Sequence, residues 1–192
     1  QIKPFADITE EDWDTIMNLL TESFKNTDVT IEIWKLNWCI KLFIENYSKA
    51  NILNEALNQA RVEEGTDLRI PKLVAVTKIE NRWALVSEHI EGTPLDVLMR
   101  EHPEKQDEYL NLFVDTQINI LTKEAPLLNK LKDKMQRKIE EADISNGIKY
   151  ELNTRLSSMP NHSKLCHGDF NPSNVILKDN GELYIIDWAH VT

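Results

Sequence analysis

The residues best suited to chemistry lie late in the chain, in His167-Gly168-Asp169-Phe170-Asn171-Pro172-Ser173-Asn174 and, further on, Ile185-Ile186-Asp187-Trp188. Between them Val175–Leu177 and Leu183–Ile186 read as apolar strands joined by a turn at Asp179-Asn180-Gly181. Closing that hairpin returns Asp187 to the neighbourhood of Asn174, with Asp169 on the loop just before the first strand. Carboxylate and carboxamide oxygens are hard donors that suit Mg²⁺. Phosphoryl transfer asks for this set: one carboxylate to orient an acceptor hydroxyl, and an amide with a second carboxylate to hold the metal on the phosphates. His167 reads as a group that orients the loop beneath Asp169. A competing use of the same neighbourhood is a metal-dependent hydrolase built on His167, Asp169, Asp187 and His190.

Asn174 follows Asp169 by five residues and Asp187 follows Asn174 by thirteen, the layout of the catalytic loop and metal-binding Asp of protein kinases, with His-Gly-Asp in place of His-Arg-Asp. Together with Asn-Pro-Ser-Asn and Ile-Ile-Asp-Trp, the segment resembles the aminoglycoside phosphotransferase and choline kinase family, small-molecule kinases with a protein-kinase-like fold. The resemblance implies Asp169 as catalytic base and Asn174 and Asp187 as magnesium ligands. It implies ATP or GTP as donor, and as acceptor a hydroxylated small molecule, aminoglycoside-like or another amino or hydroxyl compound.

The first half of the chain can be compared with the same family. Lys41 lies mid-strand in Trp38-Cys39-Ile40-Lys41-Leu42-Phe43, where an ammonium without an anionic partner is costly. The resemblance supplies two partners, the nucleotide α/β-phosphates and a Glu on the next helix. Glu55 is the candidate, about 60° round the helix from Ile52 and so at the edge of the buried stripe. Val86–Gly92 resembles the family's hinge, which gives the Glu88 carbonyl and the Ile90 N–H the role of adenine contacts. Two departures stand out: Ser23–Asp28, where the family places a phosphate loop, holds no glycine, and the chain stops five residues after Asp187. A catalytically silent kinase-like nucleotide-binding domain is the alternative these departures motivate.

The elements that must position these groups follow from patterning. Thr9 caps an amphipathic helix carrying Trp13, Ile16, Met17 and Leu20. Val29–Phe43 reads as a hairpin broken at Lys35-Leu36-Asn37, and Ser48–Glu64 as a helix stopped by Gly65, with Ile52, Leu53, Ala56, Leu57 and Ala60 on its stripe. Pro71–Ile79 and Arg82–Ser87 flank a turn at Glu80-Asn81. After Glu91-Gly92-Thr93-Pro94 the chain turns helical, with apolar stripes Leu110/Phe113/Val114/Ile118/Leu121, Leu128/Leu131/Met135/Ile139 and Ile148/Leu152/Leu156/Met159 read as core. Lys130–Glu141 reads as a solvated charged face.

The expected fold is therefore α+β and two-lobed, protein-kinase-like. Residues 1–90 form a small antiparallel-sheet lobe with one main helix, and residues 91–192 a mostly helical lobe carrying the catalytic hairpin. That second lobe is expected to be incomplete, leaving Trp188 exposed and the polypeptide aggregation-prone with little transferase activity.

The chain has 192 residues with 22 Lys and Arg against 32 Asp and Glu, a net charge of −10, the wrong sign for tracking nucleic acid or anionic membranes. No apolar run approaches the roughly 20 residues that span a bilayer. The isolated Cys39 and Cys166 read as two buried thiols, and the N-terminal residues lack signal-peptide character, so a cytoplasmic enzyme is expected. Oligomeric state is left open.

Overall fold

The computed structural model describes residues 31–35, 38–79 and 81–192. The expected N-terminal helix, the glycine-free Ser23–Asp28 segment, Leu36-Asn37 and Glu80 lie outside the described residues. Two compact units divide the chain, one taking residues up to Ala56 with Pro71–Ile90, the other Leu57–Ile70 with Glu91–Thr192.

In the first unit β1 (Ile31–Lys35), β2 (Trp38–Leu42), β3 (Leu73–Ile79) and β4 (Arg82–Glu88) form an antiparallel sheet in the order β1-β2-β4-β3. Side chains alternate between the two faces of a strand, and β2 uses both. Ile40 and Leu42 join Ile79, Ala84 and Val86 in one buried cluster. Lys41, paired with Leu85 across the ladder, points the other way, to the face where Phe43 and Leu85 pack on Ile52 and Ala56. Those last two belong to α1 (Lys49–Gly65), whose start is capped by Ser48 Oγ accepting from the Asn51 N–H at 3.5 Å. Asn81, at φ 67°, makes the tight turn between β3 and β4.

The second unit carries α2 (Leu95–Glu101), α3 (Gln106–Thr122), α4 (Leu131–Glu141) and α5 (Asn146–Ser158), and a small antiparallel sheet of β5 (Thr93–Pro94), β6 (Val175–Leu177) and β7 (Leu183–Ile185) in that order. Gly181, at φ 83°, closes the β6–β7 turn. Arg69 O accepts from Ile185 N–H at 3.0 Å and so covers the free edge of β7. Among the described residues no helix is long and apolar enough to cross a membrane.

Burial corrects several expectations. In α1 the inward residues are Ile52, Glu55, Ala56, Asn58, Gln59 and Val62, while Leu53 and Leu57 are exposed. Round the helix Glu55 thus sits inside the buried stripe, between Gln59 on one side and Asn58 on the other, and not at its edge. In α3 the buried residues are Tyr109, Thr116 and Ile120; Leu110, Val114, Ile118 and Leu121 face out. Leu131, Met135, Ile148, Leu152 and Met159 are likewise exposed, and only Leu128 and Leu156 of their two stripes are buried. For α3 the physical reason is that a helix with two apolar stripes turns only one of them inward; α4 buries none of its residues. Both cysteines are half-exposed and not buried.

The largest correction concerns Trp188. It is 1% exposed, enclosed by Val62, Leu68, Ile70, Ile120, Leu128, Leu165, Ile185 and Val191, and its indole N–H donates to Ile185 O at 3.0 Å. Much of the cover comes from the second half of α1 and the segment after it, and Val191 is the one residue beyond Trp188 in the cluster. The expected exposed surface is not found at this residue.

Candidate functional site

The last residues fold back on the His-Gly-Asp loop. Cys166 and Thr192 exchange two backbone hydrogen bonds, at 2.9 and 3.0 Å, which seats the Trp188–Thr192 segment beside Gly168. Gly168 has φ 87° and a Cβ there would run into the carbonyl of His190. Only glycine meets both the left-handed backbone and the close approach.

His167, buried beneath this loop, is bonded on both sides. Its Nδ1 accepts from the Asp169 N–H at 3.3 Å, and its Nε2 lies 2.9 Å from Ile186 O. An amide N–H can only donate and a carbonyl can only accept, so the ring is the neutral tautomer with its proton on Nε2. Burial holds its pKa below the ordinary histidine value; His190 adds to this, and the Ile186 carbonyl and the Asp187 and Asp169 carboxylates oppose it. One imidazole thus ties the backbone of Asp169 to the residue before Asp187. Aromatic packing supports it, with Trp188 at 4.5 Å and Phe170 at 5.8 Å between centroids, and Phe113 of α3 stacked on Phe170 at 4.5 Å.

Asn174, buried at the end of a single 3₁₀ turn (Pro172–Asn174) capped by the Asn171 side chain, donates from Nδ2 to Asp169 O at 2.9 Å and, at 3.5 Å, to Asp169 Oδ2. Its own carbonyl accepts from Ile186 N–H at 3.0 Å. With the amide nitrogen committed to Asp169, Oδ1 is the atom left to face a cation, and it takes no hydrogen bond from the described residues. Asp187 is exposed and held at φ 61°, a conformation that a non-glycine residue adopts at a cost of about 1 kcal/mol or more. Asp169 is exposed as well. The hairpin therefore brings Asp169, Asn174 and Asp187 together through backbone bonds, as their spacing requires.

In the first unit Lys41 Nζ lies 2.8 Å from Glu55 Oε1, the two side chains 20% and 11% exposed. This meets the need for an anionic partner. Glu88 ends β4, its N–H donating to Lys72 O at 2.9 Å, and Ile90 is buried two residues on. A transition-metal centre of His167, Asp169, Asp187 and His190 is not formed: both nitrogens of His167 are committed to the main chain, and among the described residues no three His, Cys, Asp or Glu side chains converge to hold a metal.

The sequence pattern of the Phosphotransferase enzyme family matches residues 37–192, most of the chain and all of this site. The chain belongs to that family. No curated protein matches it. Membership bears out the resemblance read from the motifs and, with the sheet and helices described, the α+β kinase-like class. It makes phosphotransfer the general chemistry and leaves the substrate to be argued from this phosphotransferase's own residues.

Two positions near the site escape sequence reasoning. Asn58 of α1 is buried and donates to Ala189 O at 3.2 Å, two residues past Asp187. Lys134 of α4 donates to His190 O at 2.8 Å. Neither residue carries a local signal: Asn58 is a single amide beside Gln59 in a helix whose apolar pattern is read from its neighbours, and Lys134 lies in a charge run that reads as solvated.

Proposed function

We propose that this phosphotransferase moves the γ-phosphoryl group of ATP to a hydroxyl of a small molecule. Residues 1–90 and 91–192 serve as the two lobes of a protein-kinase-like fold. Asp169 accepts a hydrogen bond from the acceptor hydroxyl and takes its proton as the oxygen–phosphorus bond forms and the bond to the β-phosphate oxygen breaks, releasing ADP. Lys41, steadied by Glu55, meets the α- and β-phosphates, and the backbone of Glu88 and Ile90 meets the base. The donor set fits Mg²⁺, since Asn174 Oδ1 and the Asp187 carboxylate are both hard oxygens. When bound there, the metal supplies positive charge that offsets the negative charge of the phosphates. His167 keeps the loops of Asp169 and Asp187 in register. The cytoplasm, where ATP and Mg²⁺ are abundant, is the setting this reading assigns.

The observation that carries the reading is the pair of bonds from His167 to Asp169 N–H and Ile186 O. It gives the base and the metal carboxylate one shared support, which a chance collection of loop acids would lack. The test is ADP release from Mg-ATP across a panel of hydroxylated small molecules, alongside thermal shifts with Mg-ATP alone. The reading expects release that depends on an acceptor. A thermal shift with Mg-ATP and no release with any acceptor would favour the silent nucleotide-binding domain instead.

A further inference from the structure

Lys134 differs from the rest of its charge run. Its Nζ donates to the His190 carbonyl, the same carbonyl that lies against Gly168 too closely for any side chain. One carbonyl group therefore separates this ammonium from the residue preceding Asp169. Lys134 is partly buried, burial lowers its pKa, and the charged groups that act on it are Lys138 and Arg137, both cations. Among the described residues no carboxylate pairs with it, and two of its three donors have no protein partner. The chain as a whole carries ten excess negative charges, so acids to neutralise Lys134 are plentiful, yet none is placed there. A partly buried cation that already holds a backbone carbonyl, and has no carboxylate beside it, is placed to accept a ligand that brings the counter-charge.

We propose that Lys134 is a specificity-determining residue of the acceptor site, where its ammonium takes a carboxylate or phosphate group carried by the acceptor. The proposal rests on the reading that Asp169 faces the acceptor hydroxyl. It narrows the acceptor class to hydroxylated anions, because a polyamine such as an aminoglycoside would be repelled by Lys134 and Arg137, while Lys138 is paired with Glu141 at 3.2 Å. The terminal phosphate of the nucleotide offers the same chemistry, and the experiment separates the two sources.

Wild-type protein, Lys134→Met and Lys134→Arg are titrated calorimetrically with D-glycerate, glycerol 3-phosphate, glycerol and kanamycin, and assayed for ADP release with each. Wild type is expected to bind the two anions at least tenfold more tightly than glycerol or kanamycin. Lys134→Met should lose at least tenfold on the anions, Lys134→Arg should stay within about threefold, and KM for ATP should stay within twofold in all three. Tighter binding of kanamycin, or no binding of either anion, overturns the proposal; so does an equal loss on all four compounds in Lys134→Met, which marks a purely structural clamp. A raised KM for ATP with unchanged anion binding assigns the charge to the nucleotide and overturns it as well. Anion binding that depends on Lys134 without any ADP release upholds the proposal and counts against the phosphotransfer reading. ADP release with kanamycin or glycerol but not with the anions does the reverse. Should Lys134→Met fail to fold, the wild-type preference and the Lys134→Arg variant decide.

Discussion

His167 has one protonation state compatible with its surroundings. A second proton on Nδ1 would face the Asp169 N–H, donor against donor, and would charge a buried ring. Its folded-state pKa therefore lies below the value in the unfolded chain, so on acidification the unfolded state binds more protons and gains stability relative to the fold. The contribution of His167 is fully present above the ordinary histidine value of about 6.5 and is lost as pH falls below it. Melting temperature is expected to drop between pH 8 and pH 5.5, and the drop should be smaller in His167→Gln, which keeps a donor toward Ile186 O without a titrating ring. An identical pH slope in the two proteins would show that His167 does not titrate on unfolding. The orienting role of this residue was legible because a His beside a candidate base has few other uses. The tautomer was not, since it depends on a carbonyl nineteen residues away.

At the scale of elements, legibility follows how local the determining interactions are. The two hairpins of the first sheet and the β6–β7 hairpin are marked by short apolar runs and by turn residues such as Asn81 and Gly181, and they fold where the sequence places them. Lys41 facing Glu55 follows from strand alternation and helix phase together. Helix facing is different: α3 carries Tyr109, Thr116 and Ile120 on one side and Leu110, Val114 and Ile118 on another, and composition favours the side that the structure exposes. Trp188 shows the same limit, because its cover comes from Val62, Leu68 and Ile70, more than a hundred residues earlier. Trp188→Ala should cost about 3–5 kcal/mol, a fall in melting temperature of roughly 10 °C for a chain of this size. Ile118→Ser, at a residue 55% exposed, should stay within about 0.5 kcal/mol. Thermal melts of the two variants check this. Comparable losses would mean that the outer face of α3 is packed after all.

For the whole molecule, the proposed reaction divides chemistry and metal binding among Asp169, Asn174 and Asp187, and gives Lys41 with Glu55 a separate role toward the phosphates. The family and these groups could be read from motif spacing, since spacing is what the hairpin converts into proximity. The proposed role of Lys134 could not, because it rests on a contact with the carbonyl of His190, far along the chain. The most direct test of the division of labour compares Mg-ATP affinity and turnover in Asp169→Asn and Asp187→Ala. Asp169→Asn is expected to lose about 10²–10⁴ in turnover while its Kd for Mg-ATP stays within about threefold of wild type. Asp187→Ala should lose both turnover and at least tenfold in Mg-ATP affinity. Equal Mg-ATP affinity in the two variants, or wild-type turnover in Asp169→Asn, would contradict it.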